Sequence, residues 1–380
     1  MRFATSTRLL ALIVSGALAS GAHAQWVVSY LHPAGALQSF GNGVSGVDQV
    51  GYIKAGANNH GALWTGSAAS FVDMNPASAI ASILNGTDGV RQAGEFSPVP
   101  TIPPSHSYMV NFAAIWSSTP ASMVNIQPSG GGYEPVSSAV AIEGDLQTGY
   151  YAYTSEPSTP GAARWNGSAA SYAGLATPGL TSRCGLGTDG SSIVGRAAGS
   201  GGFHATLWTF GPTAFVDLNP AGSTSSEAYD VEGNIQVGYA DLNGGSHAAI
   251  WSGTAASVVD MNPVGATTSV LRGADDSYQV GSATFPGSSS NAGIWSGTAG
   301  SFLNLHALLA PGAYSSSQAN GVWTDGTTIK VVGTAFNTGL ARSEAVLWTV
   351  TVPEPATLSL LSAIGLVGAC LGRRRVKSAI

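Results

Sequence analysis

The sequence predicts an all-β protein, a β-propeller of seven four-stranded blades, and three observations support this fold class. Charged residues make up only 9% of the 380 residues, while glycine alone counts 51. Such a composition favours short strands and tight turns over amphipathic helices. A tryptophan that closes a short apolar run and a glycine that follows a strand-like run each recur seven times. Together they indicate a repeated unit of four short strands, which is the size of a propeller blade.

Seven tryptophans and seven glycines mark the repeat. The tryptophans are Trp64, Trp116, Trp165, Trp208, Trp251, Trp295 and Trp348. The glycines are Gly51, Gly94, Gly149, Gly195, Gly238, Gly281 and Gly333. In four units the glycine follows its tryptophan by 30 residues, which is too regular for chance. We expect the tryptophans to pack inside the blades, and stacking on a sugar ring is the alternative.

The unit over residues 203–240 shows how four strands fit one repeat. Strand-like runs cover 205–209, 214–218, 227–231 and 235–239. Glu232 and Gly233 separate the last two runs, and glycine accepts the positive φ that a tight hairpin turn requires. Asn219 and Pro220 follow the second run and end it, because proline offers no amide hydrogen to a strand partner.

The two ends of the repeat region predict how the ring closes. Before the first tryptophan, 27–31, 36–44 and 49–53 supply the second, third and fourth strands of a unit. After the last glycine, 345–349 supplies a first strand only. Three strands from one end and one from the other complete a seventh blade, which leaves no free sheet edge. The competing architecture is an open β-solenoid.

The charge of the repeat region limits its partners. Residues 25–353 hold eight basic residues against 19 acidic ones, a net charge of −11. An acidic body does not follow a phosphate backbone, so we expect no nucleic acid partner. The two cysteines, Cys184 and Cys370, lie in regions of different character, so no disulfide between them is expected. Cys184 is predicted to be a small buried residue.

The N-terminus has the three parts of a secretory signal peptide. Two arginines precede the apolar run 9–18, and Ala22 and Ala24 stand at the −3 and −1 positions before Gln25. This pattern predicts cleavage after Ala24, because the protease requires small residues there. The apolar run is too short to remain as a span. A retained N-terminal anchor is the alternative.

The C-terminus predicts a transmembrane helix. Its order is Val352, Pro353, Glu354 and Pro355, then the uncharged run 356–372, then Arg373, Arg374 and Arg375. A helix of that length spans about 25 Å, and snorkelling arginines can make up the difference to a hydrocarbon core of about 30 Å. The arginines act as a membrane stop and keep this end in the cytoplasm. The chain therefore divides into a signal peptide (1–24), a propeller (25–351) and a sorting and anchor tail (352–380).

The tail resembles the PEP-CTERM sorting signal of Gram-negative, exopolysaccharide-producing bacteria. The resemblance rests on the VPEP tetrapeptide, the apolar helix and the basic cluster, in that order. It implies recognition by an exosortase-type membrane protease. It also implies first anchoring in the inner membrane with the body outside the cytoplasm, and then release or transfer to the cell surface or extracellular matrix. A plain single-span anchor is the alternative.

The repeats themselves are similar to HAF-type repeats of secreted bacterial proteins. The runs HGALW, HATLW and HAAIW carry this resemblance. Four units depart from it, since other residues take the place of the histidine: Phe112, Gly161, Asn291 and Glu344. These departures put a shared role for the histidine in doubt.

Repeated polar residues offer little sign of chemistry. Histidines precede their tryptophan by four residues and aspartates follow it by nine, at His60, His204, His247, Asp73, Asp217 and Asp260. Such placement indicates structural hydrogen bonds and turn caps rather than a metal site or a catalytic carboxylate. Asp275 and Asp276 are interpreted as a solvated turn, because no further acids follow at the spacing of a calcium loop. No phosphate loop, Cys-x-x-Cys pair or nucleophile elbow occurs, so the sequence predicts no catalytic, metal or cofactor residue.

Two insertions break the period, at 96–111 and 306–314, and long loops on a rigid scaffold are candidate contact surfaces. We expect an exported, non-enzymatic surface or matrix protein that binds exopolysaccharide or another envelope component. The alternative is an extracellular propeller enzyme, either a polysaccharide lyase or a glycoside hydrolase.

Overall fold

The computed structural model describes residues 25–99, 110–129, 135–153, 160–210 and 214–352. These residues contain seven four-stranded antiparallel sheets. The first strand of the chain, β1 (Val27–Tyr30), belongs to the last sheet. The predicted signal peptide and all of the sorting tail after Val352 lie outside the described residues.

Each of the first six blades takes four consecutive strands. Blade 1 contains β2 (Gln38–Ser45), β3 (Asp48–Ala55), β4 (Asn58–Trp64) and β5 (Val72–Asp73). Blade 2 contains β6 (Ala79–Thr87), β7 (Gln92–Pro98), β8 (Phe112–Trp116) and β9 (Val124–Asn125). Blade 3 contains β10 (Pro135–Glu143), β11 (Leu146–Tyr153), β12 (Gly161–Asn166) and β13 (Ala173–Gly174). Blade 4 contains β14 (Thr181–Thr188), β15 (Ser192–Ala198), β16 (Phe203–Thr209) and β17 (Val216–Asp217). Blade 5 contains β18 (Ser226–Glu232), β19 (Ile235–Leu242), β20 (Gly245–Trp251) and β21 (Val259–Asp260). Blade 6 contains β22 (Thr268–Asp275), β23 (Tyr278–Thr284), β24 (Ser290–Trp295) and β25 (Leu303–Asn304). Blade 7 contains β26 (Tyr314–Thr324), β27 (Thr328–Asn337), β28 (Arg342–Thr351) and β1.

The sheets form a closed ring. The first strand of each blade is innermost and contacts the innermost strands of both neighbouring blades, including the contact between β26 and β2 that joins the last blade to the first. The prediction of seven blades with one blade shared between the chain ends is confirmed, and the open β-solenoid is wrong. Closure leaves β1 paired along its whole length with β28, from Val27 opposite Thr349 to Tyr30 opposite Val346.

The predicted composition of the shared blade is wrong. One strand from the N-terminus and three from the C-terminus build blade 7, rather than three and one. The stretches 36–44 and 49–53 belong instead to β2 and β3 of blade 1. A period in sequence sets the length of the repeat but not the blade boundary. The sequence unit was taken to begin with the tryptophan strand, but that strand is the third of its blade. Each blade therefore begins two strands after the start of a sequence unit.

The tryptophans fill the junctions between blades. All seven side chains are at most 2% exposed. Trp64 of blade 1 packs in one cluster with Leu347 of blade 7, and Trp251 of blade 5 packs with Leu207 of blade 4. Burying an aromatic side chain of this size contributes several kcal/mol, so each tryptophan ties two blades together.

A steric contact explains why glycine recurs at the marker position. Each innermost strand carries a β-bulge, and the glycine lies on the second strand directly opposite the residue before that bulge. A Cβ built on Gly238 would lie 1.8 Å from the carbonyl oxygen of Glu227. At Gly51 the corresponding distance to the oxygen of Phe40 is 1.9 Å. Only glycine leaves room for that carbonyl, which is why this residue recurs in every unit.

Helical structure within the described ranges is limited to six 3₁₀ turns of three residues. None of the helices in this part of the chain is long and apolar enough to cross a bilayer. The predicted transmembrane helix at 356–372 lies outside the described residues.

Candidate binding channel

A central channel runs through the described propeller. Its volume is about 900 Å³, and the innermost strands of all seven blades line it. Equivalent residues of the seven strands form three levels along its wall. Because the backbone repeats from blade to blade, differences between side chains at one level show where the channel is specialised.

The first level contains the bulged residue of each innermost strand, and we call it the bulge ring. Its members, in blade order, are Asn42, Asn85, Val140, Leu186, Tyr229, Arg272 and Asn320. All seven line the channel.

The three asparagines of the bulge ring join neighbouring blades. The side-chain Nδ2 of Asn320 donates to the carbonyl oxygen of Gly41 at 2.7 Å. Asn42 donates to Leu84 at 2.9 Å, and Asn85 donates to Ala139 at 3.0 Å. These bonds connect blades 7, 1, 2 and 3 in sequence. Val140, Leu186, Tyr229 and Arg272 occupy four adjacent blades and make no such bond, so the specialised side of the channel is continuous.

The second level, the waist, contains the next residue of each innermost strand. Its members are Gly43, Gly86, Ala141, Gly187, Asp230, Gly273 and Gly321. Neighbours in the waist are in close contact, because a Cβ on Gly43 would lie 3.3 Å from the Cα of Gly86. Small residues at this level let the innermost strands of neighbouring blades approach each other closely.

Asp230 is the one charged residue of the waist. Its carboxylate accepts hydrogen bonds from the backbone N–H of Val231 at 2.9 Å and from that of Ala274, in the next blade, at 3.0 Å. Burial raises the pKa of Asp230 to about 7, against the effect of those two hydrogen bonds. A carboxyl group with such a pKa exchanges its proton near neutral pH.

The third level, two residues further, lies at the hairpin turns between the first and second strands. Five adjacent blades place acids here: Asp88, Glu143, Asp189, Glu232 and Asp275, which we call the acid rim. Burial and then the neighbouring acids raise the pKa of Glu143 and of Glu232. Among the residues described in this structure, no three histidine, cysteine or acidic side chains are grouped closely enough to hold a metal ion.

Arg272 is the basic residue of the bulge ring. Its guanidinium carbon lies 5.0 Å from the centre of the Tyr229 ring, within the range of a cation–π contact. Its Nε is buried and has no hydrogen-bond partner in the described part of the chain. Burial also raises the pKa of Tyr229, so this side chain stays neutral. No acidic side chain of the described residues pairs with Arg272, which distinguishes it from Arg91, Arg196 and Arg342.

The opposite ends of the blades carry the repeated histidines and aspartates. The Nδ1 atoms of His60, His204 and His247 lie 2.8 Å from Oδ2 of Asp73, Asp217 and Asp260, respectively. The second oxygen of each aspartate accepts the backbone N–H two residues later, as from Asn219 to Asp217 at 2.9 Å. Asn219 in turn accepts a hydrogen bond from the hydroxyl of Ser226 at 2.6 Å. Each histidine is thus held in a chain of bonds that supports a turn, and the three lie in separate blades.

The two insertions differ in what the structure shows. Residues 100–109 of the insertion at 96–111 lie outside the described residues. The insertion at 306–314 packs on the closing blade, because Tyr314 stacks on Tyr30 at 5.5 Å and the N–H of Ala310 donates to the Tyr30 hydroxyl at 3.1 Å. This second insertion therefore packs against the end of β1 at Tyr30, a structural role that its length alone did not reveal.

Sequence reasoning missed Tyr229, Asp230 and Arg272. The signal was present, because aligning the units on the marker glycine places Asp230 where five other units have glycine or alanine. It also places Arg272 where two units have asparagine, at Asn42 and Asn85. By contrast, Asp275, interpreted from sequence as part of a solvated turn, belongs to the acid rim, and its carboxylate accepts the N–H of Thr324 at 2.5 Å.

The described part of the chain ends beside the acid rim side of blade 7. The N–H of Val352 donates to the carbonyl oxygen of Thr327, in the first hairpin turn of that blade, at 2.7 Å. Residues 351–376 match the family model described as the PEP-CTERM protein-sorting motif. The chain carries a PEP-CTERM sorting motif. This motif implies an exported protein that an exosortase processes, with transient anchoring in the membrane before release to the surface.

Solved structures confirm the propeller fold. A puromycin hydrolase mutant complexed with PGG is 12% identical, with a TM-score of 0.54, and the match covers 83% of this chain and 56% of that chain. The β-propeller domain of the Trilobed protease from Pyrococcus furiosus is also 12% identical, with a TM-score of 0.52, and the match covers 82% and 95% of the two chains. The match therefore spans little more than half of the puromycin hydrolase, and identities this low show the fold alone. A sequence comparison with curated proteins finds no match.

Proposed function

We propose that this PEP-CTERM protein is a non-enzymatic binding protein of the cell surface or extracellular matrix. Its ligand is exopolysaccharide or another envelope component, which it binds in the central channel. An exosortase-type protease removes the tail. The HAF-type character of the repeats remains part of this proposal.

The observation that carries the proposal is the channel of about 900 Å³ with one specialised side. This volume lies within the range of ligand-binding cavities, about 300–1,000 Å³. The wall presents an aromatic ring at Tyr229 together with side-chain amides at Asn42, Asn85 and Asn320. Aromatic faces and amides are groups that bind the faces and hydroxyls of sugars.

A blocked channel tests the proposal. Val140 lines the channel in the bulge ring, where blade 5 carries Tyr229, so Val140→Phe places a second ring in the channel, while Val264→Phe adds the same ring at a position that is 95% exposed. Retention of the exported chain is measured on cells that make exopolysaccharide and on matched cells that lack it. We expect retention only with the polymer, and its loss in Val140→Phe but not in Val264→Phe. Equal retention with and without the polymer would reject the polysaccharide ligand.

The alternative function is an extracellular polysaccharide lyase or glycoside hydrolase. One observation favours it, namely the carboxyl group of Asp230 in the channel, with its pKa raised to about 7 by burial. A general acid or base is most effective when its pKa is near the working pH. A degradation screen of acidic and neutral polysaccharides separates the two functions. Products formed by the wild type and not by Asp230→Asn would replace the binding function with an enzymatic one.

A further inference from the structure

We propose that Arg272, supported by the ring of Tyr229, binds the carboxylate of a uronic acid unit in an acidic glycan that enters the channel. This inference rests on the proposed binding function and adds the chemical class of the ligand. It starts from the bulge ring, where three units use asparagine to join blades and the unit of blade 6 places an arginine instead.

Arg272 differs from other arginines of the propeller in its ion pairing. Arg91 pairs with Asp145 at 2.9 Å, and Arg196 pairs with Glu227 at 2.9 Å. Arg272 has no ion pair within the described ranges, and its Nε is buried without an acceptor. The Nη groups at the end of the side chain, which have no hydrogen-bond partner in the described residues, are therefore the donors that a carboxylate in the channel can reach.

The geometry of a guanidinium selects the ligand group. Its planar fork of N–H donors matches the two oxygens of a carboxylate, which can accept two parallel hydrogen bonds. The contact with Tyr229 at 5.0 Å restrains the guanidinium, and less side-chain freedom is then lost on binding. A lysine at this position would supply the charge without the fork.

The rest of the bulge ring favours a sugar over a peptide. Asn42, Asn85 and Asn320 use their N–H groups to hold backbone carbonyls. Their side-chain oxygens remain as acceptors in the channel wall, and acceptors suit the hydroxyl donors of a glycan. The acid rim repels anions at its own end of the channel, so the uronate enters from the opposite end, and its carboxylate stops at Arg272.

The test uses the full chain, purified from an exporting host, and measures binding by calorimetry. The probes are an oligouronate, the neutral oligosaccharide of the same linkage, and a short peptide with either a free or an amidated C-terminus. We expect the wild type to bind the oligouronate more tightly than the neutral oligosaccharide. Arg272→Gln should weaken binding by about 10- to 100-fold, which is the loss of a hydrogen-bonded charge pair. The affinity of Arg272→Lys for the oligouronate should lie between that of the wild type and that of Arg272→Gln.

Arg164→Gln is the matched control, because it removes the same charge from a strand outside the channel, where Arg164 lies 4.8 Å from the Phe210 ring. It should bind as the wild type does, and tryptophan fluorescence checks that each variant is folded. Unchanged oligouronate binding by Arg272→Gln, or no binding by the wild type, overturns the proposal. Equal binding of the neutral oligosaccharide would overturn the carboxylate site and leave the proposed function standing. Preference for the free peptide carboxylate would instead assign a peptide ligand to Arg272.

Discussion

Replacing Gly238 by alanine should destabilise the propeller far more than its single added methyl group suggests. The new Cβ would lie 1.8 Å from the carbonyl oxygen of Glu227, 2.9 Å from its carbonyl carbon and 3.0 Å from the Cα of Ala228. All three are backbone atoms, so no side-chain rotation can relieve the contact. The strand must move by more than an ångström, away from its pairing with Ala228.

The cost has two parts. Overpacking a tight site costs about 1–3 kcal/mol, and disturbing a strand hydrogen bond costs about 1 kcal/mol more. We therefore expect Gly238→Ala to lower the free energy of unfolding by about 2–4 kcal/mol. Urea unfolding followed by tryptophan fluorescence measures this, since tryptophans lie at the junctions on both sides of the blade.

Gly300→Ala provides the control. Gly300 lies in a 3₁₀ turn, and a Cβ built there meets nothing within 4 Å. The same substitution should be neutral there or stabilise by about 0.5 kcal/mol, because it reduces the freedom of the unfolded chain. If Gly238→Ala unfolded at the same urea concentration as Gly300→Ala, the steric reason given for the marker glycines would be refuted.

Three further predictions concern pH and the chain ends. Because the pKa of Asp230 is raised from 3.8 to about 7, the folded state holds a proton that the unfolded state has lost, so stability should fall as pH rises from about 4 to 7 and then level off. Titration of Asp230 lowers the free energy of unfolding by at most about 4 kcal/mol over this range. Urea unfolding at a series of pH values should show a smaller decrease in Asp230→Ala. Removal of 353–380 should leave a folded, exported body, shown by an unchanged thermal transition; loss of that transition would give the tail a structural role. Deletion of β1 (Val27–Tyr30) should expose the edge of β28 and cause association in light scattering, whereas a stable monomer would contradict its role in closing the ring.

Sequence periodicity was sufficient to predict the all-β class, seven blades and a closing blade shared by both chain ends. Trp64 and its equivalents set the period, and Gly51 and its equivalents set the position of the hairpin. Neither marker indicates where one blade ends and the next begins along the chain. In the closing blade this depends on pairing between strands that are far apart in sequence. The split of the shared blade was therefore wrong although the count was right.

The candidate site was harder to predict, because residues that line the channel come from seven distant segments. Asp230 and Arg272 are ordinary charged residues in their own stretches of sequence. They become distinctive only when each is compared with the residue at the same level in other blades, and that comparison needs the bulge, which adds one residue to the innermost strand. His60 and Asp73, by contrast, attract attention in the sequence and prove to support a turn.

The two-strand offset between the sequence unit and the blade has a consequence for how such a ring can change size. One unit supplies the two outer strands of one blade and the two inner strands of the next, so each unit is a covalent bridge across a junction. Gain or loss of a whole unit would add or remove one blade while every remaining junction stayed bridged. Strand β1 would still pair with β28, and every blade would keep its four strands.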